Sequence, residues 1–245
     1  MERPPATEKL VYVLWKHRRL SAEEFASLVL GTVARELLGL GARGLSVNLA
    51  DGFVTPVAHV RMTRFDPPIA GTVSLWLDAG AESGPYGRAL ECVSARLAGY
   101  LVDESIPIVN TTSRAPLGER TPGINMVACL ERPARMTHEA WIAHWHGHHA
   151  KVAIETQCTF SYVRNVVVRP LTDDAPPWAG IVEEGFPADA VTDPMRFYRA
   201  EGSTETMRRN MARMMESVRA FLDVDRVESH PMSEYRLKEP DGIAG

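Results

Sequence analysis

Apolar positions in this chain fall into two successive sets of elements that read in the same order. Lys9 to Lys16 (KLVYVLWK) is apolar at nearly every position, as expected of a strand covered on both faces. A helical repeat follows from the cap Ser21 to about Leu38, with Glu24 completing a capping box and Gly39 and Gly41 as the stop. Gly44 to Ala50 and Ala70 to Leu77 predict two strands, Tyr86 to Leu97 a helix, and Tyr100 to Ile108 a closing strand. The order then begins again. Strand Ile124 to Glu131 precedes a helix from cap Thr137 to about Gln157, strands Phe160 to Arg169 and Gly180 to Phe186, a helix over Thr204 to Leu222, and a strand over Arg226 to Leu237.

The repetition is visible in the residues as well as in the pattern. THEAWIAHWHGHHA, from Thr137, aligns without a gap on SAEEFASLVLGTVA, from Ser21, so that cap, Glu, aromatic, Gly and Ala coincide. WAGIV at 178–182 matches IAGTV at 69–73, and VESHP at 227–231 matches VDESIP at 102–107. Each half therefore predicts a βαββαβ unit, two helices on one face of a four-stranded antiparallel sheet. Strands that are apolar on both faces require the other sheet face to be buried too, and two copies can do that for each other. The expected fold class is α+β: two tandem ferredoxin-like βαββαβ units packed sheet to sheet as an intramolecular α+β barrel. The units divide as 1–109 and 123–245, with a Ser/Thr/Pro/Gly-rich linker at 110–122. TDDAPPW at 172–178 is a loop inside the second unit and a candidate cover for a pocket. The last helix carries Met207, Met211, Met214, Met215, Val218 and Leu222 at helical spacing, which reads as a core-facing stripe.

Composition narrows the function classes. The 245 residues are 45% hydrophobic and 24% charged with a formal net charge of −4, so there is no basic field for nucleic acid or an anionic membrane. No apolar run reaches the ~20 residues of a bilayer span, and the start MERPPATEK lacks a signal peptide's apolar stretch, which makes the cytoplasm the expected location. Cys92, Cys129 and Cys158 are too scattered for a disulfide framework or zinc knuckle and read as reduced packing residues.

Candidate chemistry concentrates in one place. His138, His144, His146, His148 and His149 lie within twelve residues on the first helix of the second unit, where the first unit has Leu28, Leu30, Thr32 and Val33 opposite the last four. On an α-helix His144 and His149 point about 140° apart, so one site cannot take the whole set.

The segment RPARMTHEAWIAHWHGHHAKVA resembles the EthD family of dimeric α+β barrels, whose members carry a capped helix with His-Trp and, after three residues, His-Ala. The resemblance covers Arg132 to Ala153 closely and extends to the strands around Tyr162 and WAGIVEEGF. It implies a ferredoxin-like barrel with a pocket between helices and sheet, and carries the family's two histidines onto His144 and His149, with Trp145 beside the first. It assigns no reaction.

His149 is the candidate acid/base because a half-buried imidazole titrates near neutral pH, with His144 second and more readily a packing residue. His pairs one turn apart can also ligate a metal, but no third ligand and no HExxH base accompany them, so no metal is assigned; a single axial histidine for haem ranks lower. GxSxG and P-loop motifs are absent, and the GxGxxG at Gly39 to Gly44 runs from a helix into a strand, the reverse of the dinucleotide-binding order, which leaves a cofactor-free apolar pocket with Trp145, Tyr12, Asn125, Tyr162 and Arg164 available to hold a carbonyl or phenol. The expected activity is a cofactor-independent lyase or isomerase (proton transfer, cyclisation, dehydration or decarboxylation) on a small hydrophobic aromatic or polyketide-like molecule. The competing class is a non-catalytic small-molecule-binding or stress-response protein, with metal- or haem-dependent oxidation behind both. A homodimer is compatible with either.

Overall fold

A computed structural model of the protein describes residues 7–240. The elements are β1 (Thr7–Lys16), α1 (Ala22–Leu28), a π-turn (Val29–Val33), α2 (Ala34–Gly39), β2 (Gly44–Leu49), a 3-10 segment (Gly52–Val60), β3 (Gly71–Asp78), α3 (Gly84–Glu91) and β4 (Ser94–Ile108). They continue as β5 (Ile124–Glu131), α4 (His138–Ala143), a second π-turn (His144–His149), α5 (Ala150–Thr156), β6 (Ser161–Pro170), β7 (Trp178–Phe186), α6 (Pro194–Phe197), α7 (Thr204–Phe221), a short 3-10 turn (Val224–Arg226) and β8 (Glu228–Lys238). Ser21 and Glu24 form the expected capping box, and Thr137 and Ser203 cap α4 and α7.

The eight strands close into one barrel in the order β1-β3-β2-β8-β5-β7-β6-β4, every neighbouring pair antiparallel. Within it β4-β1-β3-β2 and β8-β5-β7-β6 are the same ferredoxin-like order, joined by the β2–β8 and β4–β6 pairs. Closure leaves no free sheet edge. It also explains strands that read as apolar throughout. Leu10, Tyr12 and Leu14 of β1 face the helices, while Val11, Val13 and Trp15 face the lumen beside Val127, Cys129, Ile181 and Met232.

The lumen is not wholly apolar. Lys9 Nζ lies 2.5 Å from Glu104 Oε1 and 3.6 Å from Glu183 Oε1; Asn48 Nδ2 donates to Glu183 Oε2 at 2.8 Å and accepts at Oδ1 from Asn125 Nδ2 at 2.7 Å. Asn165 Nδ2 donates to Glu183 Oε1 at 3.1 Å, so one buried carboxylate gathers groups from three other strands.

Three expectations change. The helix expected from Tyr86 to Leu97 stops at Glu91, because pairing of Arg96 with Trp15 and Ala98 with Val13 draws the helix-forming tail into β4. The 172–178 loop closes one end of the barrel, where Tyr100 donates to Pro176 O at 2.8 Å and Trp178 packs among Trp15, Phe65 and Tyr100. The chain between β2 and β3 carries the unforeseen 3-10 segment and crosses to β8, where Met62 and Ser229 exchange two 2.8 Å backbone hydrogen bonds. No helix among the described residues is long and apolar enough to cross a membrane.

Candidate functional site

The histidine helix is α-helical at both ends and π-helical in the middle, over His144–His149. An i→i+5 turn places residues five apart on one face, so the 140° separation expected of His144 and His149 closes. Both reach the same residue of α7. His144 Nε2 lies 3.2 Å from Ser217 O, and His149 Nδ1 lies 3.1 Å from Ser217 Oγ, with the Phe221 ring against both imidazoles. The first half has a π-turn at the corresponding place, Val29–Val33, with no histidine in it.

Beneath this helix and α7 lies a cavity of about 390 Å3. Its floor is the helix-facing side of the second half's strands: Tyr162 of β6, Glu184 of β7 and Met126 of β5 are successive cross-strand neighbours. Its roof includes Trp145, His149, Gln157 and, from α7, Met214, Met215, Val218 and Phe221. The methionine stripe thus forms cavity wall as well as core, Met214 also packing on Val152 and Ala153.

Glu184 is the chemically distinctive group. It has no hydrogen-bond or ion-pair partner among the described residues, and burial pushes its carboxyl up to about 7. Tyr162 is fully buried and its oxygen accepts from Trp145 Nε1 at 3.1 Å, which leaves the phenolic proton for the cavity. Burial and then the neighbouring Glu184 push that hydroxyl up, so it stays protonated. The side-chain oxygen of Gln157 is buried without a partner. Gly180 permits the Trp145 packing, since a Cβ there would come within 2.6 Å of the indole.

The sequence-predicted residues divide. His149, Trp145 and Tyr162 meet in the cavity wall. His149 does not titrate near neutrality: burial first, then His144 and His148, press it down to about 4, so the imidazole is neutral there and hydrogen-bonds without charge. His144 packs on Ser217 and Phe221 outside the wall. Arg164 shares the sheet face but turns to donate to Ser105 Oγ at 3.1 Å. Asn125 points into the lumen, being one residue out of phase with Met126, and Tyr12 lies under the first half's α3, donating to Ser83 O at 3.1 Å. Burial raises the Tyr12 hydroxyl to about 12. No three His, Cys, Asp or Glu side chains among the described residues are grouped to hold a metal ion. Sequence reasoning passed over Glu184, although its signal was present: two adjacent glutamates in the apolar strand WAGIVEEGF must face opposite sides, and Glu183 takes the lumen.

No family model matches the chain, and no curated protein matches it by sequence. Among solved structures it is similar to an anthrone oxidase-like protein, with TM-score 0.55 at 10% identity over 98% of this chain and 97% of that one. A chlorite dismutase variant from Candidatus Nitrospira defluvii also aligns, with TM-score 0.46 at 9% identity over 96% of this chain and 93% of that one. The fold is that of the α+β barrels. Identities this low carry the architecture and not the chemistry.

Proposed function

We propose that the protein is a cofactor-independent lyase or isomerase of small hydrophobic aromatic or polyketide-like molecules, and that Glu184, rather than a histidine, moves the proton. The observation carrying this is an unpaired carboxyl, raised to about 7 by burial, in a mainly apolar cavity. The Glu184 carboxylate takes a proton from the carbon next to a substrate carbonyl, and the C–H electron pair moves onto the carbonyl oxygen. The Tyr162 hydroxyl, held by Trp145, donates to that oxygen, and neutral His149 offers a second hydrogen bond. The protonated Glu184 returns the proton to another carbon in an isomerisation, or to a departing hydroxyl, which leaves as water, in a dehydration.

The resemblance of Arg132 to Ala153 to the EthD family, and a division into duplicated units 1–109 and 123–245 joined by 110–122, belong to the same reading; the recurring strand order and paired π-turns support it. A cytoplasmic site of action agrees with these substrates.

Deuterium exchange at the α-carbon of an aryl ketone in D2O tests the mechanism. Wild type should catalyse exchange with a rate that rises through an apparent value of about 7. Glu184→Gln should slow it by ~10²–10⁴-fold with folding intact. Exchange at the wild-type rate in the variant removes Glu184 from the mechanism. Ketone binding with no exchange even in wild type favours the binding-protein class.

A further inference from the structure

A second cavity of about 210 Å3 adjoins the first, and Val60, Met126, Phe197 and Tyr198 are walls of both. Met126 is the cross-strand neighbour of Glu184, so the carboxyl lines the larger space next to a wall that the two spaces share. His149, Gln157, Tyr162 and Glu184 line the larger space alone, and of the titratable groups only Tyr198 borders both. The smaller is completed by Val191, Pro194 and Met211, and its sole polar side chain is Tyr198. We propose that this smaller cavity is a tail chamber, and that the substrate class is amphiphilic: a carbonyl-bearing head at Glu184 joined to an apolar chain or ring that runs over Met126 into the chamber.

The chamber is built, not incidental. Its outer wall comes from the β7–α7 connection, residues 187–203, where the first half's β3–α3 connection is only 79–83. That wall is anchored by Asp193 Oδ1 accepting from Met195 N at 2.9 Å, Phe197 stacked on Phe186 at 4.8 Å, and Asn210 Nδ2 donating to Tyr198 O at 2.8 Å. Val60 reaches it from the other half of the chain on the strap fixed by the Met62–Ser229 hydrogen bonds. Methionines at the junction and the far wall, Met126 and Met211, suit tails of variable shape.

The head assignment rests on the acid/base reading above; the tail chamber does not. Calorimetric binding of alkyl phenyl ketones from acetophenone to decanophenone tests it. Affinity should rise roughly three- to fourfold per added methylene until the chamber fills, then level off. Met211→Trp and Val191→Phe, two independent fillings, should leave acetophenone binding within about twofold of wild type while ending the rise several methylenes earlier. A wild-type series flat in chain length, no binding of any member, or variants that weaken short and long ketones alike would overturn the proposal. A length dependence without α-carbon exchange would instead leave the chamber standing and fail the proton-transfer reading.

Discussion

The two halves of the barrel solve the same packing problem differently. Register places Leu45, Leu75 and Leu10 in a cross-strand row of the first half and Tyr162, Glu184 and Met126 in the corresponding row of the second. One row further, Tyr12 stands beside Val73 where the second half has Ala128 beside Val182. Above the rows, the π-turns carry Val33 in one half and His149 in the other. The three leucines are buried to 4% exposure or less, and the Tyr12 ring occupies the space that Ala128 leaves open. The second half keeps a cavity of about 390 Å3 at this level. What differs is a handful of side chains on a shared backbone plan. A filled half supplies stability, and a hollow half can then keep an unpaired carboxyl that a small core would not tolerate.

The largest test empties the filled half. Tyr12→Ala removes a buried ring and strands the Ser83 carbonyl that it bonds. The expected cost is ~3–5 kcal/mol, read by urea unfolding. Ala128→Tyr imposes the first half's solution on the second. Ketone affinity should fall at least tenfold while the unfolding midpoint stays level or rises. If Tyr12→Ala costs under 1 kcal/mol, or Ala128→Tyr leaves binding intact, the two rows are not equivalent in the way the register indicates.

Much of this was legible in the residues. Alternation and the matched segments point to two βαββαβ patterns because a two-sided barrel wall forces nearly continuous apolar strands, a strong signal. The helix containing the histidines is equally plain. Its π-turn is not, since HWHGHH carries no local mark of an i→i+5 ladder, and an α-helical angle therefore separated His144 from His149. Tyr12 and Asn125 were chosen by chemistry without strand phase, and phase is set by pairing that no single strand reveals: Asn125 faces Met232 in the lumen, and its neighbour Met126 takes the cavity. Glu184 is not marked by its local sequence, because its desolvation depends on α7 and β5 arriving from distant parts of the chain.

The smallest effect is also the most specific to the hollow half, because it pits two of its groups against each other. Glu184 is raised from an ordinary 4.5 to about 7, so the folded state holds a proton the unfolded chain has released. Its share of stability is present at low pH and drains away as pH rises from about 4.5 to about 7. His149 is lowered from 6.5 to about 4, so the folded state resists a proton that the unfolded chain accepts. Its share is present above about 6.5 and is lost as pH falls toward about 4. Between these limits the slopes oppose, and wild-type stability should show little net dependence from the pair. Glu184→Gln removes only the first slope. The variant should match wild type near pH 4.5 and exceed it by about 1–3 kcal/mol at pH 8, the lower end reflecting the partial exposure of Glu184. It should also lose stability on acidification more steeply than wild type as His149 is left unopposed. Urea midpoints at pH 4.5, 6 and 8 decide the matter. A constant difference between variant and wild type across that range would mean that Glu184 keeps an ordinary acidity, and with it the contrast between a filled half and a reactive one would lose its chemical basis.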